Sequence, residues 1–168
     1  MGQNNQKLEK ILNSIFENPE RGLKVRNISR DTRIPKSTVQ RYLLFLKKHK
    51  IIDKENRLIV TNHTKFLKTS QIIKKLFKIG LIDYLEKKLL PSAIIIFGSA
   101  RKGEYTKNSD IDLFVETTKR IEINISQFEK KLGHKIHLFI DVDINKLPKE
   151  LFNNIINGIK LIGYIKIR

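Results

Sequence analysis

The stretch "FGSARKGEYTKNSDIDLFVE", Phe97 to Glu116, decides how the second half of this chain reads. It follows the apolar run Ala93-Ile94-Ile95-Ile96, turns on Gly98-Ser99 and ends on Asp110 and Asp112. A short apolar run closed by a turn predicts a buried strand over Ala93 to Phe97, and Ile111 to Val115 predicts a second. Alternation along a strand puts Asp110 and Asp112 on one face, with Ile111 and Leu113 toward the core. Two carboxylates on one face repel each other unless a cation sits between them. Hard oxygen donors suit Mg²⁺ or Mn²⁺. Such a pair can hold metal ions that bridge phosphate oxygens and activate a hydroxyl. Glycine at 98 lets the backbone approach a phosphate, Ser99 and the free N–H groups after it donate to one, and Lys102 can neutralise further charge.

Outward from this stretch, short β-rich runs alternate with helical ones. Ser99 to Glu104 reads as a short helix or turn, Ile125 to Leu132 as a helix, and Lys135 to Asp141 as a third strand. Pro148 to Asn157 reads as a helix stopped by Gly158, and "IKLIGYIKI" as a closing edge strand. Before Pro91 the apolar spacing is helical. Lys7 to Glu17 carries Leu8, Ile11, Leu12, Ile15 and Phe16 on one face. Val25 to Arg33 is a shorter helix. Pro35 and Ser37 open a third, which runs to about Lys48 with Val39, Tyr42, Leu43 and Leu46 inward. Ile51 to Asp53 and Arg57 to Thr61 flank "KEN" and predict a β-hairpin. Thr64 to Leu90 predicts helix with a break near Gly80.

The formal net charge is +17 over 168 residues. Met1 to Leu90 holds 21 Lys/Arg against 8 Asp/Glu, net +13, and the remainder 13 against 9, net +4. That skew points the first half toward a polyanion. Three helices and a hairpin describe a winged helix-turn-helix, and "ISRDTRIPKSTVQRYLLFLKKHKII" resembles such domains in archaeal and bacterial transcription regulators. The third helix would present Lys36, Ser37, Thr38, Gln40 and Arg41 to double-stranded DNA, with Lys54 and Arg57 on the hairpin against the flanking backbone. Packing or dimerisation is the competing use of such a unit, and Ser37 and Thr38 also suit helix capping.

The spacing in the second half is specific. A strand, Gly-Ser, eleven residues from Ser99 to Asp110, then S-D-x-D-L inside a strand resembles the DNA polymerase beta nucleotidyltransferase superfamily, in its minimal archaeal and bacterial branch. Gly98, Ser99, Gly103, Ser109, Asp110, Asp112 and Leu113 match the pattern, and "IINGIKLIG" is similar to its ending. The resemblance implies transfer of a nucleoside monophosphate from an NTP. Asp110 and Asp112 would be catalytic metal ligands, and Gly98, Ser99, Lys102 and Ser109 would bind the nucleotide. It also implies that relatives pair with a small helical partner protein in toxin–antitoxin modules. The family carries a third carboxylate in the third strand. Here the matching position is His137, within Ile136-His137-Leu138, and Asp141 lies about 13 Å further along. A histidine there can take a proton or bind a metal, or the site is degenerate; the sequence leaves both open. His134 and His63 read as surface or cap residues, and Glu104 and Glu116 as solvated.

The expected architecture is therefore two domains. A winged helix-turn-helix occupies 1–62, a helical linker 63–90, and a small α+β nucleotidyltransferase domain with a mixed sheet 91–168. With no cysteine, no apolar leader and no apolar run of membrane length, the expectation is a cytoplasmic protein without membrane contact. A helix-turn-helix on paired half-sites makes a homodimer the default. Two functions compete: a DNA-binding nucleotidyltransferase, or a DNA-binding regulator whose second domain is a degenerate nucleotide-binding or dimerisation remnant.

Overall fold

The computed structural model describes residues 3–168. The chain divides into two compact units, one up to Gln71 and the other from Ile72 onward.

The first unit is helical. Helix α1 (Gln3–Glu17) buries Ile11 and Ile15 against Ile28 of α2 (Val25–Thr32) and Val39, Leu43 and Leu46 of α3 (Lys36–Lys48). These residues recur at three- and four-residue intervals, so each helix turns one apolar stripe inward. Arg33 ends α2 in the left-handed region, and Pro35 opens α3 with its ring-fixed φ.

The anticipated hairpin is reduced to a single antiparallel bridge between Ile52 and Leu58. The cause is Asp53. Its Oδ1 accepts the N–H groups of Glu55 (2.9 Å) and Arg57 (2.8 Å), so a side chain satisfies backbone donors within the turn. Helix α4 (Asn62–Lys78) starts two residues earlier than expected. Thr61 and Thr64 cap it reciprocally, each hydroxyl accepting the other residue's N–H, at 3.1 and 2.8 Å.

The second unit takes the end of α4, then α5 (Leu81–Leu89), with Gly80 between them at φ 78°. Leu81, Ile82, Leu85 and Leu89 are buried in its core. Residues 81–89 thus pack as part of this unit. Four strands follow: β1 (Ala93–Phe97), β2 (Ile111–Glu116), β3 (Ile136–Asp141) and β4 (Ile159–Gly163). Their order in the sheet is β3-β2-β1-β4, with β1 antiparallel to β2 and β4 and β2 parallel to β3. Mixed pairing in an α+β unit is the arrangement the sequence led us to expect.

Strand β1 is buried along its whole length because it feeds two cores. Ile94 and Ile96 face one core with Leu113 and Val115, α5 and α7 (Ser126–Leu132). Ala93, Ile95 and Phe97 face the other with Phe114 and residues of α8 (Lys149–Ile156). A continuous apolar run is what a strand covered on both faces requires.

Candidate functional site

The pairing register brings Phe97 beside Asp112, and Asp112 beside His137. Three strands therefore place these residues in one row across the sheet. Two positions further along the same face, Ile95, Phe114 and Phe139 form the apolar row that meets α8. Asp112 and His137 lie at the open end of this face. Their side chains are 24% and 60% exposed, with His137 Nδ1 3.5 Å from Asp112 Oδ1. The Phe139 ring leans on the His137 ring, centroids 4.2 Å apart, and packs against Phe97 at 5.4 Å.

Phe97 leads from β1 into one helical turn, α6 (Gly98–Lys102), closed by Gly103 in the left-handed region. Gly98 itself has φ 64°, and a Cβ there would overlap Oδ2 of Asp112. The turn and the aspartate are thus packed into one another, and only glycine meets both demands. Ser99 is half-buried and Lys102 exposed in the last turn.

Asp110 is exposed and sits one residue before β2 rather than within it. The Ile111 N–H donates to the Lys135 carbonyl at 2.9 Å and fixes where the strand begins. Burial raises the Asp112 carboxyl above its ordinary range; the His137 ring opposes the shift and the Asp110 charge adds to it. A carboxylate held against desolvation and a like charge is a position that a cation stabilises. Asp110 and Asp112 fit a divalent ion as partial ligands. Among the described residues no cluster of three acidic or histidine side chains is gathered tightly enough to hold one alone. A divalent ion held there would need further oxygen ligands from phosphate or water.

Several placements differ from the sequence reading. Ser109 turns its hydroxyl to the Thr106 N–H at 2.9 Å, and its carbonyl accepts from His134 Nδ1 at 3.0 Å. His134 is no surface residue: it is 5% exposed, with Tyr105 edge-on at 5.7 Å. Its carbonyl partner requires the Nδ1–H tautomer. Glu116 is also buried. Ser92 Oγ donates to it at 2.6 Å and the Ile144 N–H at 3.0 Å, so it is tied into the fold and not solvated. Asp141 pairs with Glu116 in the register, two rows from His137 on the same face. Glu104 and His63 are exposed.

In the first unit, Lys36, Ser37, Gln40 and Arg41 are exposed along α3, while Thr38 is half-buried. The Arg41 guanidinium lies 5.7 Å from the Tyr42 ring centre. Lys54 is exposed, but Arg57 is engaged by Asp53 at 2.7 Å and Glu55 at 3.1 Å. The far half of the same helix exposes Leu44 and Phe45, which the sequence reading did not single out.

A strand, a glycine-serine turn packed onto an aspartate, and a second aspartate beside it define a nucleotidyltransferase domain. The family described as Polymerase beta, Nucleotidyltransferase matches residues 80–164, and the chain belongs to that family. No curated protein and no solved structure matches the chain. Among the described residues no helix is long and apolar enough to cross a membrane.

Proposed function

We propose that the second unit transfers a nucleoside monophosphate from an NTP to a hydroxyl acceptor. One observation carries this reading: Gly98, which opens the turn after β1, is packed against Asp112, so phosphate turn and carboxylate form a single site. Gly98 and Ser99 receive the β- and γ-phosphates, with Lys102 beside them and Ser109 holding the turn that leads to Asp110. Asp110 and Asp112 would hold Mg²⁺ or Mn²⁺, which would supply positive charge to screen the phosphates. The acceptor oxygen forms a bond to the α-phosphorus and the bond to the bridging oxygen breaks. Pyrophosphate leaves, and the hydroxyl proton passes to the His137 imidazole, which is exposed at the open end of the row.

The first unit is read as a winged helix-turn-helix that binds double-stranded DNA through Lys36, Ser37, Thr38, Gln40 and Arg41. Its three packed helices and the basic first turns of α3 support that reading. Lys54 is a backbone contact, whereas the ion pairs of Arg57 hold it within the turn. A homodimer on paired half-sites and a small helical partner protein belong to the same proposal.

A second reading has its own support. His137 stands where the family resemblance calls for a third carboxylate, which favours a DNA-binding regulator with a nucleotide-binding but inactive domain. Two measurements separate the readings. Calorimetry with Mg²⁺ and ATP or CTP should show binding that Asp110→Ala/Asp112→Ala weakens by about a hundredfold; equal affinity in both proteins removes the aspartates as ligands. Single-turnover incubation with α-labelled NTP should then move label to an acceptor. Binding without transfer selects the regulator.

A further inference from the structure

We propose that a hollow in the helical unit, between α1 and the turn joining α2 to α3, is a phosphate-binding site. It does not depend on the nucleotidyl-transfer reading. The hollow has a volume of about 340 Å³. Gln6, Lys7 and Lys10 of α1 line one side, and Thr32, Arg33 and Ile34 at the end of α2 line the other.

Its charge is the first observation. Three cations line the hollow and no carboxylate does. Lys7 and Lys10 stand three residues apart on α1, so they are neighbours on one helix face. Like charges gathered this way repel, and an anion between them turns repulsion into attraction. Lys7, Lys10 and Arg33 make no ion pair among the described residues. Asp31, two residues before Arg33, is held by Arg30 at 3.2 Å. Glu9 lies two positions from Lys7 and one from Lys10, spacings at which side chains on a helix do not face each other.

The backbone of Arg33 is the second observation. It has φ 57° and ψ 32°, in the left-handed region. A helix end of this kind favours glycine, which has no Cβ to crowd the chain. Here an arginine holds the position against that preference and brings its guanidinium to a hollow of like charge. A ligand explains that placement, and the helix end alone does not. The planar guanidinium fork matches two oxygens of one phosphate group, and the lysines add point charges around it.

The wall is built before any ligand arrives. The Thr32 hydroxyl donates to the Ile28 carbonyl at 2.6 Å, and the Ser29 hydroxyl donates to the Ile34 carbonyl at 2.7 Å. Ile34 is buried in the core of the unit. The turn is therefore fixed, and little ordering remains to be done on binding. The phosphate has two possible sources, a free phosphorylated ligand or the backbone of a DNA strand, and the experiment separates them.

The test uses the full chain, nitrogen-labelled for magnetic resonance, in EDTA so that no divalent ion assists the aspartates of the second unit. Sodium pyrophosphate is the probe, followed at the amide signals of Lys7, Lys10, Arg33 and Ile34. Saturable shifts at these residues are expected. Lys10→Ala/Arg33→Gly should weaken the binding by about tenfold. Its melting temperature should not fall, because glycine suits the backbone at 33. Duplex DNA is then titrated into both proteins. A variant that also loses DNA affinity assigns the phosphate to the DNA backbone, and equal DNA affinity assigns it to a free ligand; both support the site. If the native protein binds no DNA while the cation-dependent shifts persist, the DNA reading falls and the site stands. No saturable shift at these residues overturns it, and so does an unchanged pyrophosphate affinity in the variant.

Discussion

In the unit from Ile72 onward, three strands deliver Phe97, Asp112 and His137 to one row of a sheet, and each position is fixed by long-range pairing. In the unit up to Gln71, Lys36, Gln40 and Arg41 stand along the exposed face of one helix, fixed only by its own turns. The first arrangement makes a demand that few residues meet: glycine where a Cβ would strike a carboxylate, and a carboxylate where burial and a like charge both oppose ionisation. The second makes almost none, because an exposed helix position accepts any long polar side chain. That difference explains why chemistry can be argued residue by residue in one unit and only as a surface in the other.

The largest effect expected is at Gly98. Gly98→Ala must place a side chain at φ 64° and push Asp112 aside. The left-handed backbone alone costs about 1–2 kcal/mol, and the overlap brings the loss to about 3 kcal/mol. Chemical denaturation measures it, and NTP affinity should fall in parallel. Wild-type stability with weakened nucleotide binding would separate the turn from the aspartate and break the single-site reading. Next comes His137. The register places it directly beside Asp112, so His137→Asp should set a second carboxylate in that row and a third beside Asp110 and Asp112. Mg²⁺ should then bind about tenfold more tightly, read by calorimetry, whereas His137→Ala should not gain. Unchanged Mg²⁺ affinity in the aspartate variant would remove this row as the metal row.

A smaller effect tests the helical unit. Binding to duplex DNA should weaken steeply with salt, and each of Lys36→Ala and Arg41→Ala should reduce the slope of log affinity against log salt by about 1. Arg57→Ala should leave that slope unchanged, because Asp53 and Glu55 already hold the guanidinium. If Arg57 matters and Arg41 does not, the turn and not α3 faces the nucleic acid. The exposed Leu44 and Phe45 on the same helix would then mark α3 as a protein contact.

The spacing from Gly98 to Asp112 could be read from sequence because its meaning is local: a strand, a turn and a strand, each within a few residues. The four strands and the helices between them were legible for the same reason, since their apolar periods agree with their lengths. What stayed hidden depends on partners far along the chain. His134, between Gly133 and Lys135, reads as a turn residue until the parallel pairing of β2 and β3 slides Ser109 over it. Glu116 reads as a solvated strand end until Ser92 and Ile144 close on its carboxylate. The hairpin after α3 shrank to one bridge by the opposite mechanism: the Asp53 side chain takes the Arg57 N–H, while the Asp53 N–H still donates to the Arg57 carbonyl and the Ile59 N–H to the Ile51 carbonyl.

The smallest effect expected lies at Glu129 in α7. Glu129 accepts from the Ile136 N–H and from Lys135, and these bonds hold its carboxyl below the ordinary glutamate range, the backbone bond most strongly. A carboxylate whose pKa falls on folding adds stability that is fully present above its unfolded value. That stability is lost as pH drops through the folded value. Glu129→Gln should therefore lower the melting temperature by about 1–2 °C at neutral pH, the modest worth of a partly exposed pair. The difference between the two proteins should shrink as pH falls below the ordinary glutamate range and vanish once the carboxyl is protonated in the folded protein as well. A difference that persists at low pH would mean that packing rather than charge makes Glu129 stabilising at the start of β3.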